Sequence, residues 1–97
     1  MEPINVQVAR AVGWTSIQVT MHGWYGIPPG CTLDFRIPAF DSDYNATIPE
    51  IERRRWDIIY NGEDYGIWRD SETCYEMAGS GPTILAACCA ALIAEGE

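Results

Sequence analysis

Lysine is absent from this 97-residue chain, and cations are scarce altogether: six arginines stand against fourteen Asp and Glu, for a net charge of −8. A negative field of that size repels phosphate backbones and anionic membrane surfaces, so neither nucleic acid nor membrane is expected as a partner. It suits basic partners, including the nucleic-acid-binding surfaces of other proteins; plain solubility is the bland account of the same charge. Histidine is nearly missing too, with His22 the one side chain whose ordinary pKa lies near neutrality. No C-x-x-C pair occurs among Cys31, Cys74, Cys88 and Cys89. With one distant histidine, a zinc site is not expected. Met1–Asn5 lacks the basic start and apolar run of a signal peptide. The four cysteines therefore read as reduced, buried thiols of a cytoplasmic protein, not as a disulfide framework. No apolar run reaches the roughly 20 residues that a bilayer span takes. Repeats, linkers and low-complexity stretches are also missing, so residues 1–97 are expected to form a single domain.

What is present is apolar: 47% of the residues, four tryptophans among them, enough to build one modest core. The chain is organised around the uncharged run from Gly79 to Ala94. Pro82 suits the first turn of a helix, Ser80 or Gly81 can cap it, and Gly96 stands where a helix stops. With Ile84, Leu85, Cys88, Leu92 and Ile93 spread around it, this helix is apolar on every side and is expected to be buried on most of them.

Residues 3–13 carry two signals. Ile4, Val6 and Val8 alternate like a strand, whereas Ile4, Val8 and Val12 fall on one helical face, with Pro3 and Gly13 as helix punctuation. Helix is favoured. Thr15–His22 alternates, with Ile17, Val19 and Met21 on one face of a strand. His22–Gly30 reads as a Gly/Pro loop, and residues 32–37 as a short strand that Pro38 ends. A middle helix reaches about Arg55. It starts either near Asp43 and kinks at Pro49, or at the capping box Thr47-Ile48-Pro49-Glu50. Residues 56–69 form a hairpin about Asn61-Gly62, with a loop of two or four residues. Trp56, Ile58, Tyr60, Tyr65 and Ile67 share one face, with Ile59 and Trp68 on the other. Asp70–Met77 reads as a polar connection. Large apolar residues on both faces call for cover on both. The expected fold is α+β: a small, mainly antiparallel sheet of three to four strands with helices on both faces, an α-β-α sandwich.

Three segments resemble the phage ABA-sandwich domain, a family of small phage and prophage proteins. Val8-Ala9-Arg10-Ala11-Val12-Gly13-Trp14 is similar to its opening helix running into Gly-Trp. Ile37-Pro38-Ala39-Phe40-Asp41-Ser42-Asp43 is similar to its entry to the middle helix, and Leu85–Leu92 to its closing helix of alanine, cysteine and leucine. Pro49, Ile48 in place of a common tryptophan, and Cys89 at a usually charged position depart from the pattern. The resemblance implies a sandwich fold and a phage or prophage origin, and it brings no catalytic residues.

Chemistry has few footholds. No nucleophile or acid is placed near His22 in sequence, so no enzyme is expected. Asp41 and Asp43 have a spacing that serves metals, but no third ligand follows and helix capping accounts for both. Gly79-Ser80-Gly81-Pro82 lacks phosphate-loop and dinucleotide spacing, so no cofactor is expected. The function expected is a non-enzymatic binding protein that acts on a host protein through its acidic surface. The alternative is a small-molecule binder with a pocket near Trp24, Tyr25 and His22. Those three residues, with Asp41 and Asp43, are the candidate binding residues.

Overall fold

Helix α3 (Ile84–Glu95) is the hub of the computed structural model, which describes residues 2–96. Before it in the chain come α1 (Ile4–Ala11), β1 (Thr15–Thr20), β2 (Gly23–Ile27), β3 (Phe35–Arg36), α2 (Tyr44–Arg54), β4 (Asp57–Tyr60), β5 (Tyr65–Asp70) and β6 (Tyr75–Gly81). The fold is α+β with antiparallel strands, as expected. The strands divide, however, into two sheets of three, ordered β1-β2-β3 and β4-β5-β6. The break between them falls where Pro38 ends the two-residue β3 and Asp43 opens α2, so that a helix separates strands that one sheet would have joined.

α3 packs on β5 and β6 on one side and on α1 and α2 on others. Leu85, Ala87, Cys88, Cys89, Ala91 and Leu92 are buried, which is the wide burial its uncharged sequence calls for. Its contact with β6 is made possible by glycine. A Cβ on Gly79 would lie 2.5 Å from the Ala91 nitrogen, and one on Gly81 would lie 2.9 Å from the Ala87 nitrogen. These glycines therefore belong to a strand that the helix lies against, not to the helix start. Thr83 is the N-cap in place of Ser80 or Gly81, accepting from the Ala86 amide at 3.1 Å.

α1 is helical, with Val6, Val8 and Ala9 buried. α2 starts at Tyr44 behind Asp43, whose carboxylate accepts from the Asn45 amide at 2.9 Å, so Pro49 lies inside the helix. The entry to α2 is locked from within. The buried Thr47 hydroxyl donates to the Phe40 carbonyl at 2.5 Å, and the Cys89 thiol donates to the same oxygen at 3.3 Å. Every buried side-chain N and O atom among the described residues has a partner. Ile37, Phe40, Ile51, Ile67 and Leu92 complete the core.

Several local expectations are corrected. β2 occupies most of the stretch read as a loop. Only Phe35 and Arg36 of residues 32–37 pair as strand. In β1 the register slips between Thr15 and Gln18, where Ser16 has φ 51°, and Val19 and Met21 end up exposed. Residues 75–81, partly read as connection, form β6. The hairpin loop is the longer option, 61–64, closed by Tyr60 opposite Tyr65.

Candidate functional site

The sequence-predicted candidates do not meet at one place. Trp24 and Tyr25 are neighbours in β2 and therefore point to opposite faces of the sheet. Trp24 packs against the core and borders a shallow pocket of about 410 Å³ with Asn5, Arg36, Ile37 and Pro38. Tyr25 pairs with Gln18 and Arg36 on its two sides. His22 is exposed in the β1–β2 turn, where its amide donates to the Thr20 hydroxyl. A pocket shared by Trp24, Tyr25 and His22 is thus not formed. Asp43 is spent on capping α2. Asp41 borders a groove of about 510 Å³ along α3, lined by Ile4, Ala86, Cys89, Ala90, Ile93 and Ala94. Among the described residues no group of three His, Cys, Asp or Glu is arranged to hold a metal. No helix of the described residues is long and apolar enough to cross a membrane.

One surface that loop and motif signals do not mark is the face of β4–β5–β6 turned away from α3. Register assigns it. Ile67 sits between Ile58 and Gly79 on the α3 side, so Ile59, Gly66 and Ser80 lie on the other side, followed by Asp57, Trp68 and Met77 and then by Asp70 and Tyr75. Trp68 and Tyr75 stack with ring centroids 5.4 Å apart. A Cβ on Gly66 would meet the Trp68 indole nitrogen at 2.9 Å and the Met77 sulfur at 3.3 Å, which shows both side chains folded over this glycine. Among the described residues no helix covers the group, although cover on both faces was expected: Ile59 is 42% and Met77 51% exposed. A lone exposed apolar residue means little; three exposed ones, Ile59, Tyr75 and Met77, beside half-buried Trp68 on one sheet face form a patch.

Its charge is one-sided. Asp57 and Asp70 stand at one end, and the Tyr75 hydroxyl donates to Asp57 Oδ2 at 2.6 Å. Asp57, together with burial and Asp70, pushes the Tyr75 phenol up to about 12, the hydrogen bond to Asp57 being the largest cause. At the other end Glu63 and Asp64 occupy the hairpin loop, where their amides donate to Asn61 Oδ1 at 3.0 and 2.9 Å. Among the described residues, arginine ion pairs go to Glu2, Glu50, Glu76 and Glu95, and to none of these four carboxylates. The sheet's own cation is turned to the α3 side. Arg69 pairs with Glu76 at 3.1 Å and lies 6.0 Å from the Trp56 ring, which Arg54 approaches to 5.7 Å.

The thiols separate into two kinds. Cys88 and Cys89 are buried, and burial pushes both up to about 11, with Asp41 and Cys88 adding to the effect at Cys89. Cys31 and Cys74, expected to be buried, are exposed; they lie in turns outside every element. No protein-family model matches the chain, and no curated protein matches it.

Proposed function

We propose that this protein is a non-enzymatic binding protein that takes up a basic protein surface on the open face of β4–β5–β6, acting in the cytoplasm of a phage-infected or lysogenic cell. The observation that carries the reading is the conjunction of exposed Ile59, Tyr75 and Met77 and half-buried Trp68 on one sheet face with the carboxylates of Asp57 and Asp70 on that face and of Glu63 and Asp64 in the adjoining hairpin loop, none of which pairs with an arginine among the described residues. Apolar side chains supply burial on contact, and the carboxylates select cations and steer them in. The net charge of −8 acts in the same sense at longer range. The cellular setting rests on the three segments that resemble the phage family.

A small-molecule reading has one observation in its favour, the α3 groove with its apolar lining and Asp41 at its border. Capture from host lysate on immobilised protein separates the two readings when variants are compared. Ile59→Lys with Met77→Lys should abolish capture of a basic protein, and salt near 300 mM should release it. Ala90→Lys in the groove should change nothing. Capture that survives the lysines at 59 and 77 but disappears with Ala90→Lys contradicts the proposal and favours the groove.

A further inference from the structure

We infer that β4 is a docking edge, and that the partner's contacting segment is an extended, cationic stretch of polypeptide that adds alongside it as a fourth strand. This rests on the reading that the open face binds a basic protein, and it specifies how. β4 pairs with β5 on one side only, and Asp57, Ile58, Ile59 and Tyr60 are all exposed. Its other side therefore offers backbone N–H and C=O groups that no strand among the described residues takes. Sheet edges are ordinarily blunted by shortness, charged side chains, proline, a bulge or cover. β4 is short and its one charge is Asp57 at its start, a carboxylate that repels anionic strands and admits cationic ones. It holds no lysine, proline or glycine, and its register with β5 runs without a slip from Asp57–Trp68 to Tyr60–Tyr65. The irregularity of this sheet lies on the far side, between β5 and β6 at Ile67 and Trp68, and the glycines of β6 are occupied by α3.

An added strand inherits the pleat of the sheet. Four residues at about 3.3 Å each give an edge of about 13 Å, so a segment of roughly four to six residues is ordered. Its side chains on the open face meet Ile59 in the middle, with the Asp57 carboxylate, which also accepts from Tyr75, at one end and the hairpin loop that carries Glu63 and Asp64 beyond the other. Arginine or lysine flanking a β-branched apolar residue answers that pattern. A second copy of this chain answers it poorly. Setting Ile59 against Ile59 of the copy satisfies the apolar centre but brings together two chains of net charge −8 with no cation for either set of carboxylates.

The test uses the full chain and two end-blocked synthetic hexapeptides of alternating arginine and valine, one plain and one with every amide N-methylated. N-methylation keeps charge and side chains but removes the donors that strand pairing needs. The plain peptide is expected to bind, to slow amide exchange at Ile58–Tyr60, and to weaken about tenfold or more between roughly 50 and 300 mM salt. The N-methylated peptide is expected to bind about tenfold or more weaker, one unmade set of hydrogen bonds being worth at least that. Equal binding of the two peptides, both perturbing Trp68 and Met77, overturns strand addition while leaving the acidic face as the binding surface. Failure of both peptides to bind overturns strand addition, and the reading of the face is then decided by capture on the lysine variants at 59 and 77. Self-association of the protein that Ile59→Lys abolishes also overturns the inference, in favour of a second copy on this edge.

Discussion

The two faces of β4–β5–β6 were built by opposite means. On the α3 side, Gly79 and Gly81 remove side chains so that a helix of alanine and cysteine comes within backbone contact. On the other side, Ile59, Tyr75 and Met77 are exposed and Trp68 is half-buried beneath the Tyr75 ring stacked on it. The first face obtains stability from close approach, dispersion and area removed from water. The second leaves Ile59, Tyr75 and Met77 about half in water, where they contribute less to folding and remain available for association. Core packing and the proposed binding surface thus lie on two sides of one thin sheet, and substitutions on the two sides should behave differently.

The largest effects belong to the closed side. Leu92→Ala removes a fully buried side chain and should destabilise by about 2–5 kcal/mol, read from denaturant unfolding. Gly79→Ala places a methyl against the backbone of α3, where nothing flexible can yield, and should cost about 3 kcal/mol. Gly66→Ala is the informative contrast. Its new methyl also meets an atom at 2.9 Å, but that atom is the end of a Trp68 side chain on the uncovered face. The ring is held by a side-chain stack on Tyr75 and not by backbone, so it can give at the expense of that stack and the cost should be clearly smaller than that of Gly79→Ala. A Gly66→Ala penalty as large as that of Gly79→Ala would mean that the open face is covered in solution.

Smaller effects sharpen the same contrast. Ile59→Lys and Met77→Lys should each change stability by no more than about 1 kcal/mol while altering binding, because both side chains are already about half exposed. Tyr75 should form its phenolate near pH 12, where the ordinary value is 10.0, because Asp57 accepts its proton-bearing hydroxyl. The pKa is raised in the folded state, so any stabilisation from this contact is complete below pH 10.0 and fades as pH rises toward 12. Asp57→Asn should return the phenolate transition toward the ordinary value, followed by ultraviolet titration. Thiol labelling under native conditions should modify Cys31 and Cys74 quickly and Cys88 and Cys89 slowly.

Periodicity and punctuation made the helices and the 56–69 hairpin readable, together with the division of Trp56, Ile58, Tyr60, Tyr65 and Ile67 from Ile59 and Trp68. They failed where glycine had two meanings. Gly79 and Gly81 look like a helix start, yet they are strand residues under a helix, a distinction that depends on a contact far along the chain and not on local pattern. Gly23 and Gly26 likewise suggested a loop and lie in β2. The open face was half legible: alternation placed Ile59 and Trp68 together, but Met77 and Tyr75 join them only through the β5–β6 register, and the missing cover is a tertiary fact. Trp24, Tyr25 and His22 drew attention because loop aromatics often bind partners. Inside a strand, alternation sends the first two apart.

The most direct test of the account is a map, by amide and side-chain chemical shifts, of where the plain arginine–valine peptide contacts the folded protein. The account predicts changes at Asp57–Tyr60, Trp68, Asp70, Tyr75 and Met77, lost in the Ile59→Lys, Met77→Lys variant. Changes centred instead on Gly23–Arg36 or along Ala86, Ala90 and Ala94 of α3, with the open face silent, would contradict it.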